Sequence, residues 1–101
     1  MSFKAVILLS RRQDLNSEEF RSWWLDSHAP LAAQLPGVQR IVFNAAHDTD
    51  EFDGISELWF DSEADFVAAY ATELGQRVAA DSMAHVRRRT RLFVSERIIV
   101  G

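Results

Sequence analysis

The chain is predicted to be an α+β domain, with a four-stranded antiparallel sheet and two helices on one face of it. Four short segments are rich in apolar and β-branched residues, and two others carry apolar side chains at helical spacing. Their order is strand, helix, strand, strand, helix, strand, which is the split βαβ pattern of ferredoxin-like folds. A length of 101 residues fits one domain over residues 1–101.

The first strand is predicted over residues 3–9, an apolar run too short for a signal-peptide core or a membrane span. Asn16 can cap the helix that follows, and Glu19 completes a capping box three residues later. Pro30 cannot continue the hydrogen bonding of this helix, which is therefore predicted to end or kink near residues 27–29.

Pro36 and Gly37 mark a clear break before the second half of the chain. Ser62, with Asp65 three residues later, predicts the start of the second helix. The predicted elements of this half are a strand at 38–46, an acidic loop at 47–53, a strand at 54–60, a helix at 63–73, a short helix or irregular link at 75–84, and a strand at 86–100.

Both faces of the predicted sheet carry apolar side chains. Trp59 and Ile55 alternate with Leu58 and Phe60, and the first strand is apolar on both sides. An uncovered apolar face of four strands exceeds what monomers usually expose. We therefore expect two copies of the chain to pair through their sheets.

The composition narrows the classes of partner. A net charge of −4 argues against nucleic acid, and no segment predicts a membrane partner. The absence of cysteine excludes disulfides and thiol chemistry, and a small domain without disulfides fits the cytoplasm best. No nucleotide-binding, phosphate-binding or serine-hydrolase motif is present.

Three segments resemble the EthD family. EEFRSWWLDSHAPL at residues 18–31 is similar to the first-helix signature of EthD-type domains, LPGV at 35–38 to the start of their second strand, and ELWFDS at 57–62 to the end of their third strand. The resemblance implies a dimeric α+β barrel with a pocket between helices and sheet. Related enzymes include small monooxygenases, lactone isomerases and polyketide cyclases that often work without a bound cofactor. His85 departs from the family, in which that position is more often apolar or aromatic.

His28 is the candidate catalytic residue. It follows Phe20 and Trp24 at spacings of four, so it should point inward, and imidazole can transfer a proton near neutral pH. Its position just before Pro30 is also compatible with capping the end of the helix.

Four further residues are candidates for substrate binding. Trp24, Trp59 and Tyr70 could line an aromatic pocket, although core packing is the favoured alternative for each ring taken alone, and Asn44 is a polar residue inside a strand. Glu57 could carry a proton, but an ion pair with an arginine of the last strand is the favoured alternative. Those arginines are Arg87, Arg89 and Arg91.

No metal or cofactor is predicted. His47 lies in an acidic loop with Asp48, Asp50, Glu51 and Asp53, but their spacing matches no known ligand motif. The sequence favours an enzyme that needs no cofactor and acts on a small apolar or aromatic molecule by oxygenation, isomerisation or cyclisation. The alternative is a non-catalytic binding or accessory dimer of a catabolic or biosynthetic pathway.

Overall fold

The computed structural model describes residues 2–47, 49 and 51–101. Its elements in chain order are β1 Phe3–Arg11, α1 Ser17–Trp23, a π-helical turn Trp24–His28, α2 Ala29–Ala32, β2 Arg40–Ala45, β3 Gly54–Phe60, α3 Glu63–Ala71, α4 Glu73–His85 and β4 Val86–Val94. The strands form one antiparallel sheet in the order β2-β3-β1-β4. The predicted four-stranded antiparallel sheet is confirmed.

Strand register divides the sheet into two faces, because directly paired residues of neighbouring strands point to the same side. The inner face, against which the helices pack, carries Phe3, Ala5, Ile7, Leu9, Ile41, Phe43, Ser56, Leu58, Phe60, Arg89, Arg91 and Phe93. The outer face carries Lys4, Val6, Leu8, Arg40, Val42, Asn44, Ile55, Glu57, Trp59, Thr90, Leu92 and Val94.

The core lies between the inner face and the helices. Phe20 and Trp24 from the first helix and Phe66 from α3 are almost completely buried against Leu58 and other inner-face residues. Burying a large apolar side chain contributes about 1.5–3 kcal/mol each. Gly54 leaves room for Trp24, since a Cβ at position 54 would lie 2.6 Å from the indole ring. The tryptophan therefore packs directly on the strand backbone.

Pro30 predicted that the first helix would end or kink near residues 27–29, and the helix there changes geometry without ending. Asn16 forms the predicted capping box with Glu19, and helical backbone then continues to Ala32. Pro30 is accommodated by the π-helical turn Trp24–His28, in which Ala29 N–H donates to the Trp24 carbonyl five residues earlier. A widened turn suits a proline, whose ring crowds the carbonyl four residues before it.

The second helical region is a pair of helices, so the prediction of one helix at 63–73 and an ambiguous link at 75–84 is corrected. Thr72 ends α3 and also caps α4, where its Oγ1 accepts from the Gly75 N–H. The extended backbone of Thr72 turns the chain between the two helices. In the described part of the chain, no helix has both the length and the apolar composition needed to cross a bilayer.

The bounds of three predicted strands are also corrected. β1 continues to Arg11, β2 is shorter than predicted, and β4 ends at Val94 rather than at residue 100. The end of β4 follows from its pairing. It pairs only with β1, and Val94 lies opposite Lys4 near the start of that strand, so the residues beyond have no strand to pair with.

A charged network lies on the outer face. Lys4 Nζ is 2.7 Å from a Glu57 oxygen and 2.8 Å from a Glu96 oxygen, and Glu96 also accepts from the indole N–H of Trp59. Hydrogen bonds from Lys4 and Asn44 lower the pKa of Glu57. The predicted pairing of Glu57 with Arg87, Arg89 or Arg91 is wrong.

The topology explains this correction. Arg89 and Arg91 lie on the opposite face of the sheet from Glu57. Arg87 instead donates to the backbone carbonyl of Arg11.

Candidate active site

A narrow cavity lies between the inner face of the sheet and the helices. Its walls are formed by Ile7, Leu9, His28, Ala32, Phe43, Ser56, Leu58, Tyr70, Val78, Ala79, Ser82 and Arg89. The cavity volume is about 20 Å³, which is room for roughly one water molecule. Access for an organic ligand therefore requires the half-buried walls, such as Tyr70 and Arg89, to move.

His28 is held in the cavity wall by Asp81 of α4. The ring is buried, with 5% of the residue exposed, and its Nδ1 lies 2.7 Å from Asp81 Oδ2. A carboxylate can only accept, so Nδ1 carries the proton and Nε2 keeps its lone pair. The alternative role as a helix cap is excluded, because the helix continues past His28.

Asp81 is itself positioned by neighbouring rings. The indole N–H of Trp23 donates to both of its carboxylate oxygens, at 3.2 and 3.3 Å. Trp23 in turn stacks on His85, with ring centroids 4.2 Å apart, and His85 Nδ1 donates to the Asp81 carbonyl at 2.8 Å. These contacts orient the carboxylate toward His28. The carboxylate in turn holds the imidazole in place, as the third member of a catalytic triad does for its histidine.

Burial sets the charge state of His28. Desolvation lowers its pKa below the ordinary 6.5, and the hydrogen bond to Asp81 only partly opposes this effect. The imidazole is therefore neutral at pH 7, with Nε2 free to accept a proton. Burial also raises the pKa of Tyr70, so its hydroxyl stays protonated and can donate.

Polar groups without partners converge on the cavity. The hydroxyls of Ser56, Ser82 and Tyr70, the Arg89 guanidinium and His28 Nε2 make no hydrogen bond or ion pair with any residue that the structure describes. Buried polar groups are normally paired, so a cluster of unpaired ones requires an explanation. A water molecule or a polar ligand in the cavity would supply the missing partners.

The structure separates the residues predicted to bind substrate. His28 and Tyr70 line the cavity together, as expected. Trp24 lies behind the wall, stacked on Phe43 at 4.4 Å and fully buried. Trp59 and Asn44 lie on the outer face, so neither of them lines this cavity. The expected pocket of Trp24, Trp59 and Tyr70 is therefore not the one that the fold builds.

Several wall residues were not among the sequence candidates. Asp81 and Ser82 lie on α4, which the sequence left ambiguous, and Ser56 lies inside β3. The sequence offered one signal for Ser82. It lies four residues after Val78, so the two side chains would share one face of a helix. The pairing of Asp81 with His28 depends on how two distant helices pack, and no local pattern carries it.

The described residues of the acidic loop place no candidate group in the cavity. His47 is exposed, and the predictions for Asp48 and Asp50 fall outside the described residues. Within residues 2–47, 49 and 51–101, no three histidine, aspartate or glutamate side chains are grouped as metal ligands would be.

Solved structures share this architecture over nearly the whole chain. An EthD family protein from Bacillus halodurans has a TM-score of 0.84 at 20% identity, covering 96% of this chain and 100% of that one. SnoaB, a cofactor-independent oxygenase from Streptomyces nogalater, has a TM-score of 0.76 at 17% identity, covering 98% and 96%. A dimeric ferredoxin-like protein from Thermobifida fusca has a TM-score of 0.77 at 14% identity, covering 95% and 92%. At these identities the similarity establishes a ferredoxin-like fold.

Sequence comparison identifies the family. An uncharacterized 11.0 kDa protein from the thcB-thcC intergenic region of Rhodococcus erythropolis is 35% identical over 69 residues, which cover 61% of this chain. The matched segment spans 64% of the length of that relative. The family model for the EthD domain matches residues 12–86. This chain belongs to the EthD domain family.

Proposed function

We propose that this chain is an enzyme that moves a proton on a small apolar or aromatic molecule, with His28 as the catalytic base. The observation that carries the proposal is the hydrogen bond of 2.7 Å between His28 Nδ1 and Asp81 in a cavity wall. A buried imidazole oriented by a carboxylate is a recurrent general base. The unpaired hydroxyls of Ser56, Ser82 and Tyr70 supply further polar contacts for a substrate.

The first step of the proposed reaction uses only side chains of this chain. His28 Nε2 takes a proton from the substrate, and Asp81 stabilises the imidazolium that results. Oxygenation, isomerisation and cyclisation of an activated organic molecule can each begin with this deprotonation. The description of SnoaB as a cofactor-independent oxygenase supports cofactor-free chemistry on this fold.

We also propose that two copies pair through their outer faces. Leu92 is 48% exposed and Val94 37% exposed there, next to the half-buried Val6, Leu8 and Ile55. Covering this apolar surface with a second copy would close the barrel that the family resemblance implies. The dimeric relative from Thermobifida fusca supports the same arrangement.

Sedimentation of a Leu92→Glu variant tests the dimer. The unaltered chain should sediment at twice its monomer mass at micromolar concentration, and Leu92→Glu should sediment as a monomer, because it places a charge within the apolar contact. Val67→Glu, on the exposed side of α3, is the matched control and should leave the dimer intact. An unaltered chain that sediments as a monomer contradicts the proposal.

Deuterium exchange tests the role of His28 without a known substrate. The protein is incubated in D₂O with a panel of small aromatic and cyclic ketones and phenols, and mass spectrometry follows deuterium incorporation and conversion. His28→Gln should lower the rate about 10²–10⁴-fold, the usual contribution of a general base. The rate should stay constant down to pH 6.5 and fall only below it, because protonation removes the base and burial lowers the pKa of His28.

His47→Gln provides the matched control for this experiment. His47 is an exposed histidine that is not part of the cavity wall and makes none of the contacts that position Asp81. This variant should keep most of the exchange activity. Equal rates in His28→Gln and the unaltered chain, or no exchange with any compound, would contradict the enzyme proposal.

A non-catalytic binding or accessory protein is the second candidate. The narrowness of the cavity favours it, since about 20 Å³ holds no organic molecule in this conformation. This candidate predicts saturable binding of panel compounds with no exchange and no product.

A further inference from the structure

Arg89 differs from the other arginines of β4. Arg87 donates to the Arg11 carbonyl, Arg88 lies 3.9 Å from a Glu51 oxygen, and Arg91 lies over the rings of Phe66 and Phe93. Arg89 has no hydrogen bond, ion pair or aromatic ring contact with the residues that the structure describes. It is also the one arginine among the residues that line the cavity.

The position of Arg89 follows from the sheet register. It pairs with Leu9 of β1, a buried inner-face residue, so its side chain extends from the same face as the core. Burial is unfavourable for a guanidinium and lowers the pKa of Arg89. An arginine on the outer face, where Arg88 lies, would avoid this desolvation cost. An unpaired and partly desolvated cation beside a cavity is typical of an anion-binding site.

Arg89 acts on the two other functional groups of the cavity. Its charge opposes protonation of His28 and favours ionisation of Tyr70, so the three side chains are close enough to interact electrostatically. The phenol of Tyr70 keeps its proton and has no hydrogen-bond acceptor among the described residues. The walls of the cavity thus carry a proton acceptor, a cation and a hydrogen-bond donor.

We infer that Arg89 and Tyr70 form an oxyanion subsite, and that the substrate is a small apolar molecule bearing an acidic oxygen or an enolisable carbonyl. This inference rests on the proposed function and adds the substrate class. Transfer of a substrate C–H proton to His28 Nε2 leaves its electron pair to form a C=C bond, while the carbonyl π electrons move to oxygen. The enolate oxygen then carries the charge that Arg89 neutralises. A phenolate or carboxylate presents the same charge without proton transfer.

Binding of simple oxyanions tests the subsite directly. The ¹⁵N-labelled full chain is titrated at pH 8 with acetate, benzoate and 4-nitrophenolate, and with benzamide as the neutral counterpart of benzoate. Benzoate and 4-nitrophenolate should shift the resonances of Tyr70 and of the Arg89 side chain in a saturable way. Benzamide should bind at least about tenfold more weakly, because it brings no charge to the guanidinium. A carboxylate substrate predicts stronger binding of benzoate, and an enolate or phenolate predicts stronger binding of 4-nitrophenolate.

Arg89→Met and Arg88→Met form the matched pair. Arg89→Met should lower the affinity for the preferred oxyanion at least about tenfold and leave benzamide unchanged, whereas Arg88→Met, on the other face of the same strand, should change neither. Arg89→Met should also raise Tm by a few degrees, since it removes an unpaired charge from a partly buried position. A merely structural arginine would lower Tm when removed.

Two results would overturn the subsite. One is an equal affinity for the oxyanions in Arg89→Met and the unaltered chain, and the other is the absence of saturable binding by all three anions. The His28→Gln variant separates this inference from the enzyme proposal. It should still bind the oxyanions, because Arg89 and Tyr70 are intact, although it lacks the base. Anion binding without deuterium exchange in the unaltered chain would therefore remove the enzyme and keep the subsite.

Discussion

The two sides of the sheet differ in whether their cations and indole N–H groups have partners. On the outer face, Lys4 contacts two carboxylates, and the indole N–H of Trp59 donates to Glu96. On the inner side, Arg89 has no partner among the described residues, and the indole nitrogen of Trp24 is buried without one. Paired groups contribute to the fold, whereas unpaired ones reduce its stability. The unpaired groups of the inner side therefore lower the stability of the fold, which is the cost expected if the cavity is the proposed site.

The two tryptophans give the largest expected difference. Trp24→Ala should lower the free energy of unfolding by about 3–5 kcal/mol, because it empties a fully enclosed site between Phe43 and Gly54. Trp59→Ala should cost at most about 3 kcal/mol, since flexible chains such as Lys4 and Arg40 cover it and can rearrange. Urea unfolding followed by circular dichroism measures both. Equal costs would show that the two sides are packed alike.

The two carboxylate networks give a smaller difference. Asp81→Ala should cost about 1–3 kcal/mol, because it leaves the N–H groups of the buried His28 and the half-buried Trp23 without an acceptor. Lys4→Met is the matched change on the outer face and should cost less than about 1 kcal/mol, because water can solvate Glu57 and Glu96.

The pKa of His28 gives a second test of the Asp81→Ala variant. Asp81→Ala should lower the pKa of His28 further, because it removes the interactions that raise it, and NMR titration of the imidazole measures this. In the unaltered chain, the unfolded state binds more protons below pH 6.5, so His28 makes stability fall as the pH drops through that value. An unchanged pKa in the variant would mean that Asp81 does not act on His28.

Much of the fold was predictable from local patterns, and part of the site was not. The cap at Asn16, the order of strands and helical regions along the chain and the inward direction of His28 follow from nearby residues and were confirmed. Alternation also places Glu57 and Trp59 on one face, but a period of two does not say which face the helices cover. Trp59 was for this reason assigned to a pocket on the wrong side of the sheet.

Contacts between residues far apart in the sequence set the other limit on prediction. Asp81 reaches His28 across 53 positions of sequence, and only the packing of α4 against the first helix brings them together. Arg89 was considered as a partner of Glu57 and was not among the site candidates, because a sequence shows the charges on a strand but not the absence of a neutralising neighbour. The groups that matter most for the proposed chemistry were thus the hardest to predict.

The π-helical turn has a consequence for how function is inherited among relatives. A turn of this kind holds one more residue than an α-helical turn, and every side chain beyond it is rotated by roughly 100° from where a regular helix would place it. A homologue could keep a histidine aligned with His28 and yet, with a regular helix, direct its ring away from the cavity. Transfer of a catalytic role between members should therefore compare the backbone of this turn as well as the letter in the alignment.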